Sequence, residues 1–78
     1  MREEIYERLN EVFRDVFDDD SISVNDETTA EDVDGWDSLI HITLIEAVEE
    51  EFGISFDMKT VVKMKNVGEM VDAIEEAI

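Results

Sequence analysis

Cysteine is missing from this chain. Disulfides and thiolate metal sites are therefore excluded, and any thiol chemistry has to arrive on an added group. Basic residues are scarce: six lysines and arginines stand against 23 aspartates and glutamates, a formal net charge of -17 over 78 residues. Nucleic-acid backbones and anionic membrane surfaces are bound through Lys and Arg, so this balance argues against both as partners. It favours partners with basic patches and fast, salt-sensitive encounters. No apolar run approaches membrane-spanning length and no secretion signal is visible. The expectation is a soluble, cytoplasmic protein that works as a monomer.

What is present suffices for one fold. A hydrophobic content of 44% in 78 residues supports a single domain over 1–78 with one modest core. Ile5, Leu9, Val12, Phe13, Val16 and Phe17 recur at steps of three and four, which predicts a first helix over 2–17 with Tyr6 at the stripe's edge. Asp18, Asp19 and Asp20 put three negative charges where the helix dipole is already negative, so the helix should end there. The connection from 18 to 36 is too long to hang free in a compact domain. Ile22, Val24 and Val33 are its expected anchors, and Thr28 with Glu31 fits a capping box for a short helical turn. An EF-hand reading of this acidic loop fails, because a loop starting at Asp18 has Ile22 and Ser23 at its fifth and sixth positions.

The second helix is predicted over 38–52, closed by Gly53, with Leu39, Ile42, Ile45, Val48 and Phe52 as its core stripe and Leu44 widening it. Ile40 sits off the middle of that stripe and, if exposed, makes an apolar contact point. Glu46, Glu49 and Glu50 fall toward solvent. A short third helix follows over 58–64, with Asp57 as cap and Met58, Val61, Val62 and Met64 as its apolar residues. Asn66 and Glu69 open a last helix whose inner stripe is Met70, Val71, Ile74 and Ile78. Lys59, Lys63 and Lys65 make a small basic spot opposite the acidic second helix.

The chemistry-bearing stretch is Gly35-Trp36-Asp37-Ser38-Leu39, where loop turns into helix. Gly35 supplies backbone freedom, and Asp37 or Ser38 can accept a hydrogen bond from a free N–H of the first turn. A serine there has its hydroxyl in solvent at the positive end of the helix dipole, which favours a phosphate. Trp36 is expected as a partly buried plug. His41 is one turn from Ser38, but both point outward with no cleft or oxyanion hole implied, so a catalytic pair is not the reading. A surface histidine tuning partner contact with pH is expected instead.

An acidic chain of this length with Asp37-Ser38-Leu39 near its middle, Glu49-Glu50-Glu51-Phe52-Gly53 closing that helix and a short helix at the end resembles the acyl carrier protein family. The resemblance covers essentially the whole chain. It implies an all-α bundle of three main helices plus one short one, no catalysis by the chain itself, and covalent 4′-phosphopantetheine on Ser38 bearing acyl groups as thioesters. Asp37 would assist modification, helping to position a metal on the modifying enzyme. A phosphopantetheinyl transferase and acyl-handling enzymes with basic patches would be the partners, docking on Leu39, Ile40, Glu46, Glu49 and Glu50. The short third helix would be the movable wall of an acyl cleft. Fatty-acid carriers continue from Asp-Ser-Leu with further acids, whereas Ile40 and Thr43 stand there in this chain. That departure puts service to the standard fatty-acid enzymes in doubt, and the expected pathway is a fatty-acid-like or a specialised lipid or polyketide one. An aminoacyl or peptidyl carrier, and an unmodified acidic interaction module, are the alternatives.

Overall fold

The computed structural model describes residues 2–78. Helix α1 spans Arg2–Phe17, α2 Ser38–Phe52, α3 Met58–Lys63 and α4 Val67–Ala77, with one 3-10 turn at Ala30–Asp32. No strand occurs among the described residues. The all-helical expectation holds, and so do the bounds of α1 and α2.

Helix α1 buries Ile5, Leu9, Val12 and Phe13, the stripe its spacing predicts. It packs against both α2 and α4, and Phe13, Leu9, Leu44, Met70, Ile74, Val48, Val67 and Val71 are fully buried at the centre. Each such side chain contributes about 1.5–3 kcal/mol on burial. α1 stops at Asp18, which adopts a left-handed φ of 52°. The Asp19 amide then donates back to the Arg14 carbonyl at 3.0 Å, a Schellman-type closure.

The 18–36 connection is held by both neighbours. Arg14 Nε donates to the Ile22 carbonyl at 2.8 Å, and Asn10 Oδ1 accepts from the Val24 amide at 2.7 Å. Val24 and Val33 are buried and Ile22 is half-buried. At the loop's middle, the carbonyls of Thr28 and Asp26 accept from the amides of Val67 and Gly68 at 2.8 and 3.1 Å. These amides open α4 and would otherwise lack partners. The short turn starts one residue later than expected. Thr29, not Thr28, donates its amide to a carboxylate, that of Asp32 at 3.0 Å. Thr28 is buried instead, its hydroxyl accepting from the Asn25 amide at 2.9 Å.

Three apolar assignments are overturned. Leu39 and Ile42 are 80% and 56% exposed, so they leave the core to Leu44, Ile45 and Val48. The first two turns of α2 are apolar almost all round, so helical spacing alone did not select a face there. Ile40, a contact point on condition of exposure, is half-buried. Ile78 is 66% exposed because it falls just beyond the end of α4. Helix α3 ends at Lys63, one residue earlier than expected, with Asp57 Oδ1 capping it through the Thr60 amide at 2.8 Å. Val61 and Met64 turn toward the core while Met58 and Val62 stay exposed.

Candidate functional site

The approach to α2 is built by a turn. The Trp36 amide donates to the Val33 carbonyl at 3.3 Å, and Gly35 makes the bend with a φ of 87°. Asp37 is the cap: its Oδ1 accepts from the amides of Leu39 and Ile40 at 3.0 and 2.9 Å. Ser38 is the first helical residue and is exposed. Because the capping bonds go to Asp37, the serine hydroxyl stays outside the cap. The expected electropositive tip is already occupied by a carboxylate. A phosphate on Ser38 would therefore extend from the helix start without being gripped by those two amides.

Trp36 fills its expected place as a half-buried plug. Its ring meets buried Phe13 edge-on at 5.3 Å and Phe17 at 6.1 Å. His41 departs from expectation. It is half-buried, stacked on Trp36 at 5.9 Å with a 22° interplanar angle, and its Nδ1 accepts from Trp36 Nε1 at 3.1 Å. That nitrogen is thus committed to Trp36 and unavailable as a base for Ser38. Burial lowers the His41 pKa from its ordinary value, with the backbone of Val61 pulling the other way. The pairing spans five residues across a loop-to-helix junction. A tryptophan just before a cap and a histidine one turn inside the helix was the only sequence signal for it.

Beside Ser38, α2 and α3 leave a cleft of 590 Å³. Trp36, His41 and Ile42 line it from one side, Met58, Val61 and Met64 from the other, with Lys65 and Asn66 at its polar margin. An equal volume beneath the 18–36 loop is lined by polar groups such as Asp19, Asn25 and Asp32 and does not include Ser38.

The outer face of α2 divides differently from expectation. Glu46 and Glu50 are exposed, but Glu49 is half-buried and its carboxylate accepts from the Phe56 amide at 2.7 Å. It holds the chain after Gly53, whose left-handed φ of 66° ends the helix. Glu51 pairs with Arg8 at 2.9 Å, and the Arg8 guanidinium lies 4.5 Å from the centre of the Phe52 ring. Lys59, Lys63 and Lys65 are all exposed on or just after α3.

A capped helix start with an exposed serine at the mouth of an apolar cleft defines a carrier-type domain. The family model for the phosphopantetheine attachment site matches residues 7–74. The acyl carrier protein of Picosynechococcus sp. is 36% identical over 77 residues, covering 97% of this chain and 94% of that protein. That of Thermotoga maritima is 31% identical, covering 99% and 95%. The solution structure of the holo acyl carrier protein from Geobacter metallireducens superposes with a TM-score of 0.86 at 43% identity, covering 92% of this chain and 83% of that one. The chain belongs to the acyl carrier protein family, whose prosthetic group is covalent 4′-phosphopantetheine.

Proposed function

We propose that Ser38 is the attachment residue, and that the chain carries acyl intermediates as thioesters on the arm bound there. The observation that supports this most is the place of Ser38. Its hydroxyl is exposed, free of the helix cap and at the mouth of an apolar cleft. A separate transferase would join Ser38 Oγ to the phosphate of coenzyme A, forming a phosphodiester as adenosine 3′,5′-bisphosphate leaves. The terminal thiol of the arm supplies the reactivity a cysteine-free chain lacks. The chain contributes position and shelter and no catalysis of its own.

Asp37 assists modification by holding the helix start, and its second carboxylate oxygen takes no part in the cap. The docking surface for basic partners is Leu39 with Glu46 and Glu50 on the exposed side of α2, with half-buried Ile40 at its edge. Glu49 serves the fold first and this surface second. The first turn of α2 holds no acidic residue, so partners meet an apolar ring around Ser38 with the acids farther along. That pattern favours enzymes of a specialised lipid or polyketide pathway.

Incubation with coenzyme A and a phosphopantetheinyl transferase tests the reading by intact mass. One arm per chain is expected, and none on Ser38→Ala. Equal modification of the variant would overturn it.

A further inference from the structure

Trp36 and His41 stand between the cleft and the core. On the cleft side, their stacked rings line the same space as Val61 and Met64 of α3. On the core side, Trp36 meets the fully buried ring of Phe13 edge-on at 5.3 Å. An apolar chain growing from Ser38 reaches Ile42, Met58 and Val62 first, which are all more than half exposed. Where Trp36 meets Phe13, entry toward the core requires the Trp36 ring to move aside.

The pair suits the wall of an apolar cleft. Polar groups can be covered by hydrocarbon at little cost only when they are hydrogen-bonded. Trp36 Nε1 and His41 Nδ1 satisfy each other at 3.1 Å. A methylene chain laid against these rings leaves the Nε1–Nδ1 bond intact. Pulling them apart breaks that bond and leaves one donor and one acceptor to find other partners.

We propose that the Trp36–His41 pair is a gate that limits how deep a carried acyl chain enters, so that this carrier shelters short acyl groups and leaves the far end of long ones outside. The inference rests on Ser38 bearing the arm. Latched, the pair confines the chain to the cleft between α2 and α3. Unlatched, it opens a path to Phe13 and the core.

The test loads the full chain with butyryl, octanoyl or tetradecanoyl pantetheine from the matching coenzyme A esters and confirms each product by intact mass. Melting temperatures are then compared with the unacylated holo protein. For the wild type, the gain should rise from butyryl to octanoyl and rise no further with tetradecanoyl, and the emission maximum of Trp36 should be the same with octanoyl as with tetradecanoyl. In His41→Ala the tetradecanoyl gain should exceed the octanoyl gain by about 4 °C or more, the order of shift a buried contact gives in a domain of this size. Trp36→Phe keeps an aromatic ring toward Phe13 but removes the N–H and part of the bulk of the indole. It should behave as His41→Ala does, so the test survives if either variant folds poorly. His41→Asn, which offers Oδ1 where Nδ1 stood, should restore the wild-type profile. A wild type that gains steadily through tetradecanoyl, or variants that keep the wild-type profile, would overturn the gate alone. Failure of Ser38 to load would overturn the carrier reading, and the gate with it.

Discussion

The Gly68 amide donates to the Asp26 carbonyl at 3.1 Å, and a Cβ built on Gly68 would stand 2.8 Å from that same oxygen. The long loop and the start of α4 touch so closely that only glycine fits between them. In an exposed helix, replacing glycine by alanine gains about 1 kcal/mol. Here the sign should reverse, because the obstacle is backbone and cannot swing away. Gly68→Ala is expected to cost about 1–3 kcal/mol, a fall of several degrees in melting temperature. Denaturant unfolding would check this, and an unchanged or raised midpoint would contradict the contact.

His41 is the only histidine in the chain, which makes its titration separable. Its pKa is lowered in the fold from the ordinary 6.5. A lowered pKa means the folded state disfavours the proton. The stability it contributes is complete above the unfolded value and is lost as pH falls through the folded one. Protonation also turns Nδ1 from acceptor to donor and breaks its bond from Trp36. The melting temperature of the wild type should therefore fall more steeply than that of His41→Asn between about pH 7 and 5. A ring titration followed by NMR with a midpoint above 6.5 would contradict the burial.

Charge should work against the fold. The molecule measures 27 × 25 × 22 Å and carries a net charge of -17, so at about 0.01 M salt, where screening reaches about 30 Å, its excess negative charges repel one another across the whole fold. Raising salt to about 0.15 M shortens that reach to about 8 Å. The melting temperature should rise, and millimolar divalent cations should raise it too. Calorimetry showing no response to either would mean that repulsion is already balanced by ion pairs such as Arg2 with Asp26 and Asp72.

Asp37 has two jobs that one substitution separates. Asp37→Ala should lose about 1 kcal/mol of stability with the cap, whereas Asp37→Asn should keep most of it. If the carboxylate also serves the transferase, Asp37→Asn should be loaded more slowly than wild type at equal stability. Equal loading rates would reduce Asp37 to a cap.

Much of the architecture was legible because helix signals were strong. Asp37, Asp57 and Asn66 cap where side-chain chemistry placed them, Gly53 ends α2 through its left-handed backbone, and α1 presents one clear stripe. Helix α2 was less legible. Leu39 and Ile42 continue its apolar pattern, yet what buries a residue is the neighbour above it, and α3 leaves that end open. Glu49 resembled its acidic neighbours until the chain after Gly53 brought the Phe56 amide to it. Ser38 stood out from local chemistry. The Trp36–His41 bond did not, since it depends on how a loop folds back over the helix it precedes.

The most direct measurement is localisation of the arm. The chain has four serines, Ser21, Ser23, Ser38 and Ser55, and all are exposed. Fragmentation mass spectrometry of the transferase-treated protein should place a single phosphopantetheinyl group on Ser38 and leave the other three unmodified. An arm found on any other residue, or a chain that takes none, would contradict the account.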